Sequence, residues 1–182
     1  PRWSPDGAEI LFTSLRDGNF EVYVVNTLGG RERRLTQSPL DDIGGAWSPD
    51  GFRIAFSSGR DGNLEVYVMN ADGANPIRLT NHPAQDGGRL AWSPDGTQIA
   101  FSSTRDDNSE IYVMNVDGTN LTRLTKHPAR DRFPAWSPDG LRLAFTSNRD
   151  GNDEIYVMNA DGAGLIRLTN DPADDMLDDW RH

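Results

Sequence analysis

The stretch Trp3-Ser4-Pro5-Asp6-Gly7, WSPDG, returns at Trp47, Trp92 and Trp136, at intervals of 44, 45 and 44 residues, and Trp180 stands where a fifth copy would open. The residues between the copies repeat as well. After each WSPDG come EILF, RIAF, QIAF and RLAF, then the turns RDGN, RDGN, RDDN and RDGN, then EVYVVN, EVYVMN, EIYVMN and EIYVMN, and finally RLT. A period in the mid-forties carrying several short apolar runs is the signature of a β-propeller rather than of a helical solenoid. The fold class is therefore all-β, a β-propeller of four-stranded antiparallel blades with four blades in this chain. The units run 3–46, 47–91, 92–135 and 136–179 within a single domain or fragment over 1–182, and residues 180–182 begin an incomplete fifth.

Turn chemistry gives this reading a mechanism. In Ser-Pro-Asp-Gly the proline presets φ at the second turn position, and Gly7, Gly51, Gly96 and Gly140 supply the positive φ that follows. The strand holding Trp3, Trp47, Trp92 or Trp136 thus reverses tightly into the next. Asp17-Gly18, Asp61-Gly62 and Asp150-Gly151 are hairpin dipeptides of the same logic. Asp106-Asp107 replaces them in the third copy, where aspartate tolerates the left-handed region because its side chain bonds locally. Strand three, as in Ile155-Tyr156-Val157-Met158, is apolar on both faces, whereas a sheet with one wet face would alternate. Each sheet must therefore be covered on both sides by neighbours, which radial stacking achieves.

The pattern from WSPDG through IAF, RDGN, EIYVMN and RLT resembles the repeat of the TolB-type β-propellers, six-bladed periplasmic proteins and their relatives. The resemblance covers essentially the whole chain. It implies a Trp strand innermost and an RLT strand outermost. It also implies a scaffold that binds proteins or other ligands in the periplasm or outside the cell. Four units are fewer than that family's usual six, and the separate N-terminal domain of TolB has no counterpart in this sequence.

Composition narrows the partners. The formal charge of −10 repels phosphate backbones and anionic lipid surfaces, which argues against nucleic acid, and no run of residues has the length and apolarity of a membrane span. With no cysteine, disulfides, thiolate metal sites and thiol nucleophiles are excluded. The nucleophile elbow GxSxG is absent. Ser4, Ser48, Ser93 and Ser137 have no repeating histidine partner and read as turn residues. His82 and His127 sit where Ser38 and Asp171 stand in other copies, so no symmetric histidine site can form.

Carboxylates are the remaining candidates. Asp42, Asp86, Asp131 and Asp175 recur just before each tryptophan, in the linker entering the innermost strand. Converging there, four such side chains would form an oxygen-rich ring suited to Ca²⁺ or Mg²⁺. Alternatively each caps its own loop by accepting backbone hydrogen bonds. A second series, Asp17, Asn19 and Glu21 with its equivalents, has the spacing of the start of a calcium loop but lacks the later ligands. It reads instead as a hairpin turn paired with Arg16, Arg60, Arg105 and Arg149.

The expected function is a noncatalytic scaffold that binds a protein partner or self-associates, requires no cofactor and admits Ca²⁺ as an option. The alternatives are the propeller portion of a larger hydrolase or lyase, and a subunit of a dimer or extracellular filament made by strand completion between chains.

Overall fold

The structure is a computed structural model that describes residues 1–180; the last two positions of the incomplete fifth unit lie outside the described residues. Sixteen strands form four antiparallel four-stranded sheets, and no helix occurs among the described residues. Blade one contains β1 (Arg2–Trp3), β2 (Glu9–Ser14), β3 (Glu21–Asn26) and β4 (Arg33–Arg34). Blade two contains β5 (Asp42–Trp47), β6 (Arg53–Ser58), β7 (Glu65–Asn70) and β8 (Ile77–Arg78). Blade three contains β9 (Asp86–Trp92), β10 (Gln98–Asp106), β11 (Asn108–Asn115) and β12 (Thr122–Arg123). Blade four contains β13 (Asp131–Trp136), β14 (Arg142–Ser147), β15 (Glu154–Asn159) and β16 (Ile166–Arg167). Strands follow chain order in every sheet, so each blade is a simple meander. The first strand of blades two to four begins at the recurring aspartate, upstream of the tryptophan.

The turns form as their residues dictate. Gly7, Gly51, Gly96 and Gly140 have φ between 70° and 74°, and each N–H closes the turn on the carbonyl of Ser4, Ser48, Ser93 or Ser137. The buried serine hydroxyl bridges the turn, donating to the turn aspartate and accepting an N–H from the following strand, as in Arg53 N to Ser48 Oγ at 2.9 Å. At the second hairpin Asp107 takes φ 76° in place of glycine, as the third copy's sequence requires.

The chain forms two compact units, residues 1–88 and 89–182. In the first, Leu11, Val22 and Val24 of blade one pack with Ile54, Phe56, Tyr67 and Met69 of blade two. In the second, Ala100, Ile111 and Val113 of blade three pack with Leu143, Phe145, Tyr156 and Met158 of blade four. One blade thus presents its strand-two and strand-three side chains of one parity, and the next blade answers with the opposite parity, which is why strand three is apolar on both faces. Phe56, Phe101 and Phe145 are fully buried, and each full burial of such a ring contributes about 1.5–3 kcal/mol.

Candidate functional site

Every blade carries a buried acid at the start of strand three. Glu21, Glu65, Glu110 and Glu154 are completely shielded from solvent. Glu21 accepts from the Thr36 hydroxyl, Arg34 Nη2 at 2.8 Å, Ser38 N at 2.9 Å and Asn19 Nδ2 at 3.2 Å, and the other three blades repeat this set. Burial alone would raise the Glu21 carboxyl, but the Ser38 N–H, the Thr36 hydroxyl, Arg34 and Asn19 together hold it below its ordinary value. The asparagine side chain also reaches the linker to the next blade, Asn19 Nδ2 donating to Leu40 O at 3.0 Å and Asn152 Nδ2 to Ala173 O at 2.8 Å. The series Asp17-Asn19-Glu21 is therefore a clasp with its acceptors in use.

The expected arginine partners need correcting. Asp17 and Glu21 pair with Arg34 of the RLT run, at 2.9 and 2.8 Å, and Arg78, Arg123 and Arg167 do the same in their blades. The register of β3 on β4, with Tyr23 opposite Arg34, places that guanidinium beside strand three. Arg16 and Arg60 instead fold back onto Ser14 and Ser58 and lie 4.7 and 4.8 Å from the Tyr23 and Tyr67 ring centres. Each tyrosine hydroxyl donates to the hairpin aspartate, Tyr67 to Asp61 for example, and burial with this bond pushes the Tyr67 phenol up to about 12.

Asp42, Asp86 and Asp131 are fully buried and Asp175 is half-buried. Asp42 pairs with Arg60 at 3.0 Å, and Asp131 takes Arg149 through both oxygens, at 3.0 and 2.9 Å. Burial pushes both carboxyls above their ordinary value against the pull of the nearby serine and arginine. The backbone N–H groups of Asp42, Asp86 and Asp175 bond Phe20 O, Leu64 O and Asp153 O at 2.7–2.8 Å, so Asp42 and Asp86 fasten the entering strand, and Asp175 the segment after β16, to the preceding blade's hairpin. Among the described residues no three histidine, aspartate or glutamate side chains gather as a metal centre would require.

His82 and His127 act as turn acceptors. His82 Nδ1 and His127 Nδ1 accept the N–H groups of Ala84 and Ala129 at 3.1 Å, and Asp171 Oδ1 does so for Ala173 at 2.9 Å. Serine, histidine and aspartate share one position because each offers an acceptor there.

Sequence reasoning missed one feature. In β13, Phe133 holds φ 59°, and the guanidinium carbons of Arg89 and Arg132 each lie 5.3 Å from its ring centre. Its only signal in the sequence is a bulky residue two places after the recurring aspartate, where Gly44 and Gly88 stand in blades two and three.

Known proteins match this architecture. A candidate TolB of Agrobacterium tumefaciens superimposes with TM-score 0.85 at 30% identity, covering 92% of this chain and 63% of that one. TolB of Acinetobacter baumannii gives 0.77 at 23% identity, covering 92% and 43%. The chain thus spans less than two thirds of either. A 40-residue stretch, 21% of the chain, is 48% identical to 6% of the uncharacterized peptidase YuxL of Bacillus subtilis. The family model of the TolB β-propeller domain matches residues 1–89 and again 85–180, and the chain belongs to that family.

Proposed function

We propose that this TolB-type propeller is a noncatalytic scaffold that binds a protein partner in the periplasm or outside the cell. The observation that carries the reading is the exposure of large apolar side chains at turn tips. Phe52 and Leu141 follow the WSPDG turns of blades two and four at 75% and 68% exposure. Exposed aromatic and aliphatic side chains at turn tips offer apolar area that a partner's surface can bury. The repeated polar residues, by contrast, serve the internal clasps described above. Placing a photo-crosslinking phenylalanine analogue at Phe52 and at Leu141 in the producing cell is expected to trap a protein, with Phe52→Asp abolishing association while the fold persists. Equal trapping at the exposed turn residue Asp72, or none at any site, contradicts the reading.

The reading needs no cofactor, so a chelator is expected to leave the melting temperature unchanged; a fall would favour Ca²⁺ at the aspartates. Self-association by strand addition predicts a mass above that of one chain in light scattering. The local identity with a peptidase favours a second reading, a propeller portion of a larger hydrolase, which trapping of a peptide substrate at the same tips would support.

A further inference from the structure

The first strands of blades two, three and four carry a residue of positive φ at the same place: Gly44 in β5 at 71°, Gly88 in β9 at 82° and Phe133 in β13 at 59°. The registers of β5 and β13 shift there, between Ile43 and Ala46 and between Arg132 and Ala135, so the feature is a β-bulge. Glycine enters this region without steric cost, and a bulky aromatic side chain does not. Strained residues of this kind gather at binding and catalytic sites, held by the structure around them. Phe133 is thus a costly choice at a position that blades two and three fill with glycine.

Its surroundings, all within the second unit, show what such a residue can serve. Phe133 is half-buried, and the two guanidinium groups beside it are drawn to the negative face of its ring. Arg89 already holds an extended acidic segment of its own chain. Its Nη1 donates to Leu177 O and Asp178 O at 2.8 Å each, and its Nη2 meets the Asp178 carboxylate at 2.8 Å. That carboxylate is 86% exposed, so the pair is readily exchanged for another. Arg132 binds Asp153 through Nη2 at 2.7 Å, but its buried Nε finds no acceptor among the described residues.

We propose that the Phe133 bulge with Arg89 and Arg132 is a subsite for the carboxylates of an extended acidic segment of a protein partner. The proposal rests on the protein-binding reading above and assigns it a chemistry. The ring holds the two guanidinium forks in place, the part-exposed Arg132 guanidinium takes a carboxylate oxygen, and the partner's segment competes with Leu177–Asp178 at Arg89. Because the chain carries a net −10, long-range steering opposes such a partner, and the local arginine pair confers register rather than speed.

The probe is a fluorescein-labelled peptide of sequence DDMLDDW, that of residues 174–180, with its aspartates replaced by asparagine as control. Anisotropy titration of the full chain is expected to show binding of the acidic peptide, about tenfold or more tighter than the control and weakened by salt. Arg132→Gln and Phe133→Gly are each expected to weaken it about tenfold, and Asp178→Asn to strengthen it several-fold by removing the resident carboxylate. Phe133→Gly is also expected to hold or raise the melting temperature, which separates a binding role from a packing role. Absence of binding, indifference to Arg132→Gln and Phe133→Gly, or a melting temperature lowered by Phe133→Gly overturns the proposal. A partner trapped at Phe52 and retained by Arg132→Gln would overturn this subsite while leaving the scaffold reading intact.

Discussion

Phe12 and Phe56 hold the same place in adjacent blades and each lies against its own blade's tyrosine, Tyr23 or Tyr67, with ring centres 5.7 and 5.6 Å apart. Phe56 is fully buried, yet Phe12 is only half-buried. The tryptophans divide likewise, Trp3 being 52% exposed and Trp136 7%. Local sequence is nearly identical in each comparison, so the difference comes from the neighbour. Phe56 lies against Leu11, Val22 and Val24 of blade one, and that contact, more than anything within blade two, closes its environment. A repeat of this kind is stabilised chiefly by what it touches.

The largest expected effect follows directly. Phe56→Ala should cost about 3–5 kcal/mol in urea unfolding, and Phe12→Ala roughly half as much. Equal costs would break the comparison. Glycines sharpen it at the backbone. A Cβ on Gly44 would stand 2.4 Å from Gly88 O at a φ of 71°, whereas one on Gly18 meets nothing within 4 Å. Gly44→Ala should therefore cost about 3 kcal/mol and Gly18→Ala about 1 kcal/mol, measured the same way.

The arginines come next. Arg60→Gln leaves the buried Asp42 carboxylate without its ion pair and should cost about 1–3 kcal/mol. Arg16→Gln breaks a pair with Glu32 whose side chains are 41% and 46% exposed, and should cost less than Arg60→Gln. Thermal melts of both variants test whether the same side chain matters more within the blade pair.

The smallest effect is in the pH profile, where Glu21 and Asp42 have opposite signs. Glu21 is held below its ordinary 4.5, so its contribution is present above that pH and is lost as pH falls through the lower folded value. Asp42 is pushed above its ordinary 3.8, so its contribution is present below that pH and is lost as pH rises through the folded value. Glu21→Gln should flatten the acid limb of stability against pH, and Asp42→Asn should steepen it. The same slope in both variants would contradict these assignments.

Much of this was legible in the sequence. WSPDG and the Asp-Gly pairs named the turns, and Gly7 and Asp107 adopt the φ values their positions require. The double-sided apolarity of strand three announced the stacking of blades. The clasp around Glu21 was misread because its arginine lies 13 residues away and arrives only through the β3–β4 register. A cation reading of Asp42 and Asp131 drew on spacing alone, which does not reveal that Arg60 and Arg149 turn inward to meet them. Phe133 escaped notice because a single aromatic in an apolar strand looks ordinary until its φ is known.

Fluorine NMR of the chain labelled with 5-fluorotryptophan reaches the central claim most directly, each resonance being assigned by a Trp→Phe substitution. The solvent isotope shift between water and deuterium oxide reports indole exposure. The account expects a large shift at Trp3, small shifts at Trp92 and Trp136, and an intermediate one at Trp47. Equal shifts at all four would show that neighbouring blades do not set the environment of the repeat.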